Sequence, residues 1–575
     1  MLKKRTLLAC AGCCIAAALL IGGSTFLNAG RGRAYGYQSY IELTAEHMDD
    51  DGFFLSVDRQ GETKAIGDQA VNRTVERINE TQSLDIEVLT GATVSSTAAL
   101  QSAEQALRRA GFDTESLAKR PDQDFEQDRT DRCDVVIVGA GGAGLTAAIE
   151  AAKAGVDVIV VEKLGIAGGS TARSEGKIIA SGSALQKYNG VKDTVAGFAG
   201  FLYGFASENV LQSRLIGVAE RSAVNLEFLK ENGVRFSDTL LSDGSNEMVD
   251  RVHLVVGENG QSGGGAIVTP LREAAEALGV KFYYCAEVDE IITSALSETR
   301  GIHAKCADGS SLTVLAEATV IACGGFDRNP VLIEEFSTGR SAPALSYSGI
   351  GSTGEVIELA SDIGALIIKG SLIAELRDFS ANTDNIHGLL VNPVGERFAN
   401  EAKTQLELGS AVQRGGYGNA WLILDSSAST RAVRSLVEEG VVVQANSIEE
   451  LSKTLKSKEL VSTVTRYNEN CKNRVDEDYA KDSRFMKQID KGPFYAVPYR
   501  IASYGSLGGI RTNNRCQAMS NIAVVPGLYA CGEAAFGSYM DKDFPGFGAS
   551  LTIVIDSGRM AGKMAAQYAK TGENN

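Results

Sequence analysis

The residues with the most informative spacing form a glycine-rich turn, GAGGAG, at positions 139–144. In such a turn Gly139 permits a sharp change of direction, Gly141 lets backbone N–H groups approach a pyrophosphate, and Gly144 lets a following helix pack on a strand. Glu162 follows about 20 positions later, where an acidic side chain can accept a hydrogen bond from a ribose hydroxyl. Residues of these types at these spacings predict a binding site for an adenine dinucleotide.

The elements that must position this turn can also be predicted. The pattern indicates a buried strand over Val135–Val138, a small-residue helix over Ala143–Ala154 and a second strand over Val156–Val161. In this order the N-terminus of the helix, with its dipole, faces the phosphates. Because strand, turn, helix, strand and acid are in register, a Rossmann-like βαβ unit is favoured over a phosphate-free turn. Its predicted binding residues are Gly139, Gly141, Gly142, Ala143, Gly144, Glu162 and Lys163.

Composition restricts the classes of function. The chain has 575 residues, enough for several domains, and a formal net charge of −16, which gives no electrostatic support for binding nucleic acid. Its seven cysteines beyond residue 132 include no Cys-x-x-Cys pair. That spacing argues against a zinc or iron–sulfur site and against a dense disulfide framework, so we expect no metal site.

The first 29 residues have the pattern of an export segment. A basic stretch, Lys3–Arg5, precedes an apolar run, Leu7–Gly23, and Leu27–Ala29 is an imperfect cleavage site. Three alternatives stay open: a cleaved signal peptide, an uncleaved membrane anchor, or a lipoprotein modified at Cys10. Each of them predicts an exported protein of the cell envelope, anchored in the membrane or extracytoplasmic.

Residues 36–112 form a small predicted module, with a strand at Phe53–Arg59 and a helix that ends near Ala110. Just before that helix stands TGATVS at 90–95, a turn with free N–H groups suited to a phosphate. This module resembles the FMN-binding domains of sodium-pumping NADH:quinone reductases, Rnf complexes and exported fumarate-reductase-like enzymes. The resemblance implies one FMN joined covalently to Thr93 through a phosphoester, attached by a flavin transferase. The polar residues 113–132 are predicted to be a linker.

The rest of the chain resembles the succinate dehydrogenase/fumarate reductase flavoprotein superfamily. The resemblance rests on the βαβ unit and on two further segments, ACGG at 322–325 and VVPGLYACGE at 524–533. It implies an α/β fold: a Rossmann-like FAD domain in two parts, 133–330 and 500–575, with an inserted α+β capping domain at 331–499 that closes over the substrate. The small α+β FMN-binding domain precedes it. Further residues implied at the non-covalent FAD are Gly168, Gly169, Ser170, Thr171, Gly176, Gly324, Glu533, Gly548, Ser550 and Leu551.

The order of electron transfer follows from which sites the chain has. No second glycine-rich turn has the strand–turn–helix–acid context of a nicotinamide site. We therefore expect an external donor, in the membrane or outside the cytoplasm, to reduce the FMN on Thr93. Electrons would then pass to FAD and on to a small unsaturated substrate. The resemblance implies reduction of an activated C=C bond in an enoate or enone, in anaerobic electron disposal.

The residues that would complete this reaction depart from the family pattern. The family's proton-donating arginine falls on Gln405 and its carboxylate-binding arginine on Phe544 or Asp543, so a dicarboxylate such as fumarate is disfavoured. An Arg-x-His pair is kept as Arg251 and His253. A phenol can donate a proton to an activated alkene, and Tyr504 is the preferred acid. The other candidates for the acid near the flavin are His253, Tyr539 and Lys542.

Alternatives to this reading stay open at the level of sequence. The chain could be a fumarate or urocanate reductase proper. A 3-ketosteroid-type dehydrogenase is a second alternative, although the tyrosine of that branch falls on Phe544 here. A flavin electron carrier of the cell envelope without a substrate is the non-enzyme alternative. A capping region of about 170 residues argues against a carrier, since a carrier needs no lid over a substrate.

Overall fold

The computed structural model describes residues 29–35, 40–48, 52–60, 67–84, 86, 93–114, 116–118, 127–243, 249–257, 262–338, 343, 345–377, 385–438 and 440–573. The chain forms two compact units, Met1–Arg120 and Pro121–Asn575. The predicted export segment up to residue 28, positions 87–92 of the FMN-attachment turn and residues 119–126 of the predicted linker lie outside the described residues.

The first unit is a three-stranded antiparallel sheet packed against helices. Its strands are β1 (Ala29–Tyr35), β2 (Tyr40–His47) and β3 (Phe53–Arg59), and its helices are Gly67–Thr81 and Thr93–Ala110, with a 3₁₀ turn at Ser116–Ala118. A Cβ on Gly32 would lie 1.7 Å from the Ser102 carbonyl oxygen, so the second helix rests directly on β1. The sheet begins before the predicted module boundary at residue 36, because β1 pairs along its whole length with β2.

The core of the second unit is a mostly parallel sheet. Its strands are β4 (Arg129–Val138), β5 (Val158–Val161), β9 (Lys281–Tyr283), β10 (Ala286–Thr293), β11 (Thr299–Cys306), β12 (Ser311–Ile321), β21 (Gln517–Met519) and β22 (Val524–Ala530). Their order in the sheet is β10-β11-β12-β4-β5-β9, and β22 also pairs with β12 and has β21 as its other neighbour. Strand β4 starts inside the predicted linker, because Arg129–Arg132 continues the parallel pairing with β12.

Helices cover this sheet where its strands are apolar on both faces. The helix Gly142–Lys153 packs on Ala549–Thr571, and a Cβ on Gly562 would lie 2.1 Å from the Ala147 carbonyl oxygen. A three-stranded antiparallel sheet flanks them, formed by β6 (Lys177–Ile179), β8 (Asp250–Val256) and β7 (Arg235–Ser242). The remaining helices of this part are Gly169–Ala172, Ala184–Tyr188, Val195–Tyr203, Gln212–Glu231 and Gly265–Ala277, with a 3₁₀ segment at Gly532–Ser538.

The inserted region is built around a second sheet with β19 (Phe494–Ser506) as its central strand. The other strands are β13 (Leu345–Ser346), β15 (Leu372–Arg377), β16 (Leu389–Val391), β17 (Asn419–Leu424) and β18 (Val443–Ala445), while β14 (Ile367–Ile368) pairs with β20 (Gly509–Ile510). Its helices are Pro330–Phe336, Glu355–Asp362, Gln405–Arg414, Arg431–Glu438, Ile448–Leu455 and Leu460–Asn473, with a 3₁₀ turn at Ser483–Phe485. Strand β19 crosses the predicted boundary at 499/500, so the inserted sheet continues into the segment assigned to the FAD domain.

Candidate functional site

The glycine-rich turn has the backbone that its spacing predicts. Gly139 follows β4 with φ = +105°, a conformation that costs glycine nothing. A Cβ on Gly144 would lie 1.9 Å from the Gly139 carbonyl oxygen, so only glycine lets the helix start this close to the strand. At Gly141, by contrast, the nearest atom to an added Cβ is the Gly168 carbonyl oxygen at 3.8 Å. The turn is therefore tightly packed on its inner side and open on the side of Gly141.

That open side faces a cleft of about 840 Å³ at the carboxyl ends of the parallel strands. Glu162 is buried in its wall and accepts hydrogen bonds from the backbone N–H groups of Ala140 (2.7 Å) and Leu164 (2.9 Å). Burial raises the pKa of the Glu162 carboxyl above its usual range. The predicted residues that line this cleft are Gly139, Gly141, Gly142, Ala143, Glu162, Lys163, Gly169, Ser170, Thr171, Gly324 and Glu533.

A segment that the sequence did not assign to this site closes the same cleft. Gly349, Gly351, Ser352 and Glu355 belong to the inserted region, yet they line the cleft opposite the turn. The Ser170 hydroxyl accepts a hydrogen bond from the Gly349 N–H at 2.9 Å, and the Lys163 ammonium lies 3.1 Å from a Glu355 carboxylate oxygen. The sequence of this segment contains several glycines. It is not preceded by a predicted strand or followed by an acidic residue at the spacing that identifies the first turn.

Glu533 stands where this cleft meets a second cavity. Its carboxylate accepts a hydrogen bond from the Ser506 N–H at 2.7 Å. Burial of the carboxyl group, together with the nearby Asp327 carboxylate, raises the pKa of Glu533 above its usual range. Added Cβ atoms on Gly325 and Gly505 would lie 2.0 and 2.6 Å from a Glu533 oxygen, so both glycines are needed for its approach.

The second cavity, of about 1330 Å³, shares four wall residues with the cleft: Ser170, Thr171, Glu533 and Val554. The N-terminus of the helix Ala549–Thr571 opens towards it, because Gly548, Ser550 and Leu551 line the cavity and no side chain caps that helix end. The N–H groups of such a helix end, with the helix dipole, stabilise negative charge. The cleft and the second cavity therefore adjoin each other between the glycine-rich turn and this helix end.

Tyr504 lines the second cavity and is part of a short polar chain. Its hydroxyl donates to a Glu375 carboxylate oxygen at 3.0 Å, and the same oxygen accepts from the Arg377 Nε at 2.5 Å. Tyr347 stacks on the Tyr504 ring, with centroids 4.8 Å apart and an interplanar angle of 10°. Burial and the adjacent Glu375 raise the pKa of Tyr504 well above its usual value of 10.0, so the phenol stays protonated at physiological pH.

The predicted pair Arg251 and His253 lies outside the residues that line both cavities. Arg251 is 2% exposed and forms ion pairs with Asp193 (2.7 Å) and Asp243 (2.6 Å). The His253 ring contacts the Ser183 hydroxyl at 2.7 Å and the Arg251 carbonyl oxygen at 2.9 Å. Burial lowers the pKa of His253 to about 4, so this ring is neutral at pH 7. The side-chain partners of Arg251 are therefore Asp193 and Asp243, that of His253 is Ser183, and none of these residues lines either cavity.

Other predicted residues have a packing role in this structure. Gln405 is the first residue of its helix and donates to the Asn385 side chain at 3.0 Å, while its neighbour Leu406 lines the second cavity. Tyr539 is 3% exposed, with its hydroxyl 3.4 Å from the Cys516 sulfur. Gly176 supports the turn around Gly263 with φ = +72°. Gly168 bridges to Gly141, and Lys542 has an exposed side chain.

The residues that line the cleft fit FAD. Gly141 leaves an open space that an added Cβ would enter. This space suits a pyrophosphate, because it lies at the N-terminus of the helix Gly142–Lys153. In the first unit Thr93 is the first residue of the helix Thr93–Ala110, and its side chain lies outside the described atoms. Within the described ranges, no group of three or more His, Cys, Asp or Glu side chains is placed to hold a metal ion. Among those same residues, no helix is both long and apolar enough to cross a membrane.

Comparisons with known proteins agree with this geometry. The chain matches the FAD binding domain family over residues 134–551 and the FMN-binding domain family over residues 36–108. Urocanate reductase of Eggerthella lenta is 27% identical over 92% of this chain and 91% of its own. NADH:acrylate oxidoreductase of Vibrio harveyi is 24% identical, and the match covers 94% of this chain but only 61% of that longer protein.

Solved structures show the same fold. The open conformation of a flavocytochrome c3 fumarate reductase superposes with a TM-score of 0.58 and 25% identity, covering 76% of this chain and 79% of that one. A 3-ketosteroid-delta4-(5alpha)-dehydrogenase from Rhodococcus jostii gives a TM-score of 0.59 and 26% identity, covering 78% of this chain and 99% of that one. The predicted α/β class, the FAD and FMN cofactors and the family resemblance are confirmed. The chain therefore belongs to the FAD binding domain family, carries an FMN-binding domain before it, and is a flavin-dependent oxidoreductase.

Proposed function

We propose that this flavoprotein reduces an activated C=C bond in an enoate or enone that is not a dicarboxylate. The observation that carries the proposal is Tyr504, a protonated phenol held by Glu375 in a cavity that continues the FAD cleft. The relatives support it, since urocanate and acrylate are unsaturated acids and the names of those proteins describe redox reactions on them.

The chain's own residues supply the acid side of such a reaction. Reduced FAD, when bound, supplies two electrons and one hydrogen to one carbon of the double bond. Tyr504 gives the proton that the other carbon needs, and a proton from solvent then restores the phenol, so the alkene gains two hydrogens in all. Arg377 is positioned to stabilise the negative charge left on Tyr504. Although burial alone would lower the pKa of Arg377, the neighbouring Tyr504, Glu375 and Tyr347 raise it above the usual value.

The charges around the second cavity favour a neutral or singly charged acceptor. Two cations line it, Arg173 and Lys177, together with the carboxyl groups of Glu175, Glu375 and Glu533. Lys177 forms an ion pair with Glu175, and the Arg173 guanidinium donates to the Ser348 carbonyl oxygen at 3.2 Å. Both cations already have partners. Binding a second substrate carboxylate would therefore require it to compete with existing contacts, which disfavours fumarate.

Electron entry and location complete the proposal. Thr93 at the start of its helix carries FMN through a phosphoester that a flavin transferase forms, and an external donor reduces this FMN. The basic and apolar segments of residues 1–29 support export to the cell envelope, with the protein anchored in the membrane or extracytoplasmic. The FMN-binding domain supports this arrangement because it gives electrons an entry site separate from the substrate cavity.

One assay tests the reaction and its alternatives together. The flavin-loaded full chain is mixed anaerobically with reduced viologen and a panel of enoates, enones, urocanate and fumarate, and viologen oxidation is followed. We expect turnover with monocarboxylic enoates or enones at least tenfold faster than with fumarate. Turnover of fumarate equal to the best acceptor would refute the charge argument. If both flavins are reduced but no acceptor is turned over, the chain is an electron carrier.

A further inference from the structure

The second cavity has aromatic walls beyond what a flavin needs. Phe544 and Phe547 line it from the segment before the helix Ala549–Thr571. Tyr347 lines it as well, on the side of Tyr504. The rest of the apolar wall is made by Phe536 and by four aliphatic side chains, Ile373, Leu406, Leu551 and Val554.

Phe547 is unusual because its backbone is strained. It has φ = +52°, between Gly546 at +78° and Gly548 at +102°. Glycine adopts this left-handed region freely, but a bulky residue there is an outlier that is strained. Its ring is also 42% exposed, so burial of the ring within the protein offsets little of that strain. Strain of this kind is found at sites where a side chain has to be presented to a ligand.

We propose that the acceptor carries a planar aromatic ring conjugated to its double bond, and that Phe547 is the residue that selects for this ring. This inference rests on the proposed ene reduction at Tyr504. An aromatic ring bound against phenylalanine gains stacked or edge-to-face contacts that a saturated ring of similar size cannot make. Tyr347 and Phe544 line the same cavity and add to its aromatic surface.

The substrate's charge follows from the same wall. Because Lys177 is paired with Glu175 and Arg173 donates a hydrogen bond to the Ser348 carbonyl oxygen, the aromatic ring rather than an ion pair supplies most of the binding energy. A single carboxylate or ketone next to the alkene then suffices to activate it. The acceptor class is accordingly an aryl-substituted enoate or enone with no more than one negative charge.

The test compares two acceptors that differ in their ring alone, (E)-3-phenylpropenoate and (E)-3-cyclohexylpropenoate. Values of kcat/KM are measured anaerobically with reduced viologen for the full chain, for Phe547→Leu and for Phe547→Tyr. We expect Phe547→Leu to lower the phenyl-to-cyclohexyl ratio of kcat/KM about 2- to 12-fold, through KM, and Phe547→Tyr to restore it. Phe282→Leu, a half-buried ring outside the cavity, is the matched control and should leave the ratio unchanged.

The outcomes separate this inference from the proposed function. If Phe547→Leu leaves the ratio unchanged, or if the cyclohexyl compound is preferred by the unmodified chain, the aromatic selection is refuted while ene reduction stands. A loss of bound FAD from Phe547→Leu, seen in the flavin absorbance, would mean that the ring serves the flavin, and would also refute the inference. If no enoate or enone of any kind is reduced, the proposed function itself fails.

Discussion

Tyr504→Phe is the substitution that most directly tests the proposed chemistry. It removes one hydroxyl and keeps the ring that stacks on Tyr347. A positioned general acid contributes about 10²- to 10⁴-fold, so we expect kcat to fall at least 100-fold, or by about 2.7 kcal/mol in the barrier. Glu375 keeps its contact with Arg377, so the loss of one hydrogen bond should cost only about 1 kcal/mol of folding free energy.

The assay must separate loss of the acid from loss of the fold. Viologen oxidation with the best acceptor gives kcat and KM, and urea unfolding gives the stability of the same samples. Tyr568→Phe is the matched control, because the Tyr568 hydroxyl donates to Glu298 at 2.6 Å in a half-buried site outside both cavities. The two substitutions remove the same kind of Tyr–Glu hydrogen bond, so only a catalytic role predicts different values of kcat.

The result that would refute the reasoning is a kcat of Tyr504→Phe within threefold of the unmodified chain. A second check is the pH profile. Since burial and Glu375 raise the pKa of Tyr504 well above 10.0, its phenol should stay protonated, and kcat should show no loss from Tyr504 ionisation between pH 7 and 9. A descending limb in that range that disappears in Tyr504→Phe would show that the phenol ionises earlier than its surroundings imply.

Three further predictions concern the cofactors and the buried histidine. Thr93→Ala should abolish flavin fluorescence of the denatured chain on a gel, and retained fluorescence would exclude Thr93 as the attachment residue. Gly141→Ala should lose FAD without unfolding, because its Cβ would enter the cleft 3.8 Å from the nearest protein atom, whereas Gly155→Ala, on the surface, should keep FAD. The pKa of His253 falls from 6.5 to about 4 on folding, so protonation of the unfolded state lowers stability as pH drops from 6.5 towards 4. Between pH 7 and pH 5 the unmodified chain should lose about 2 kcal/mol more than His253→Gln in urea unfolding.

The sequence predicted the glycine-rich turn well because its evidence is local. The spacing of Gly139, Gly141 and Gly144 fixes the geometry of a strand, a turn and a helix that are adjacent in the chain. Steric contacts in the structure explain Gly139 and Gly144, while Gly141 faces the open cleft. The same holds for Glu533, which comes directly after β22 and therefore at the same edge of the sheet. Residues placed by neighbouring elements of one βαβ pattern can be located without knowledge of tertiary contacts.

The opposite wall of the cleft could not be predicted for the same reason. Ser170 and Gly349 are 179 positions apart, and Lys163 and Glu355 are 192 apart, so no local pattern joins them. Their contact depends on how the inserted region returns to the first sheet. The stretch from Gly349 to Val356, just after β13, lines the FAD cleft, which a boundary drawn from composition at residue 331 does not reveal.

The proposed catalytic residues were the hardest to assign because residue type does not show what a side chain contacts. Tyr504 and Glu375 lie on β19 and β15, which pair antiparallel, so they meet only after the inserted sheet has formed. Arg251 and His253 were assigned by resemblance, and the sequence alone did not show that two distant carboxylates, Asp193 and Asp243, enclose Arg251.

Arg251 therefore provides a final test of whether a buried cation has a structural or a catalytic role. Its guanidinium is enclosed by Asp193 and Asp243, all three side chains being 3% exposed or less. Asp243→Asn removes one of the two charges that compensate it, and breaking a buried pair costs about 3–5 kcal/mol. We expect urea unfolding to show a loss of this order, while kcat and KM of the folded, FAD-loaded fraction stay within twofold. A large fall in kcat with unchanged stability would instead place Arg251 among the residues that contact the substrate.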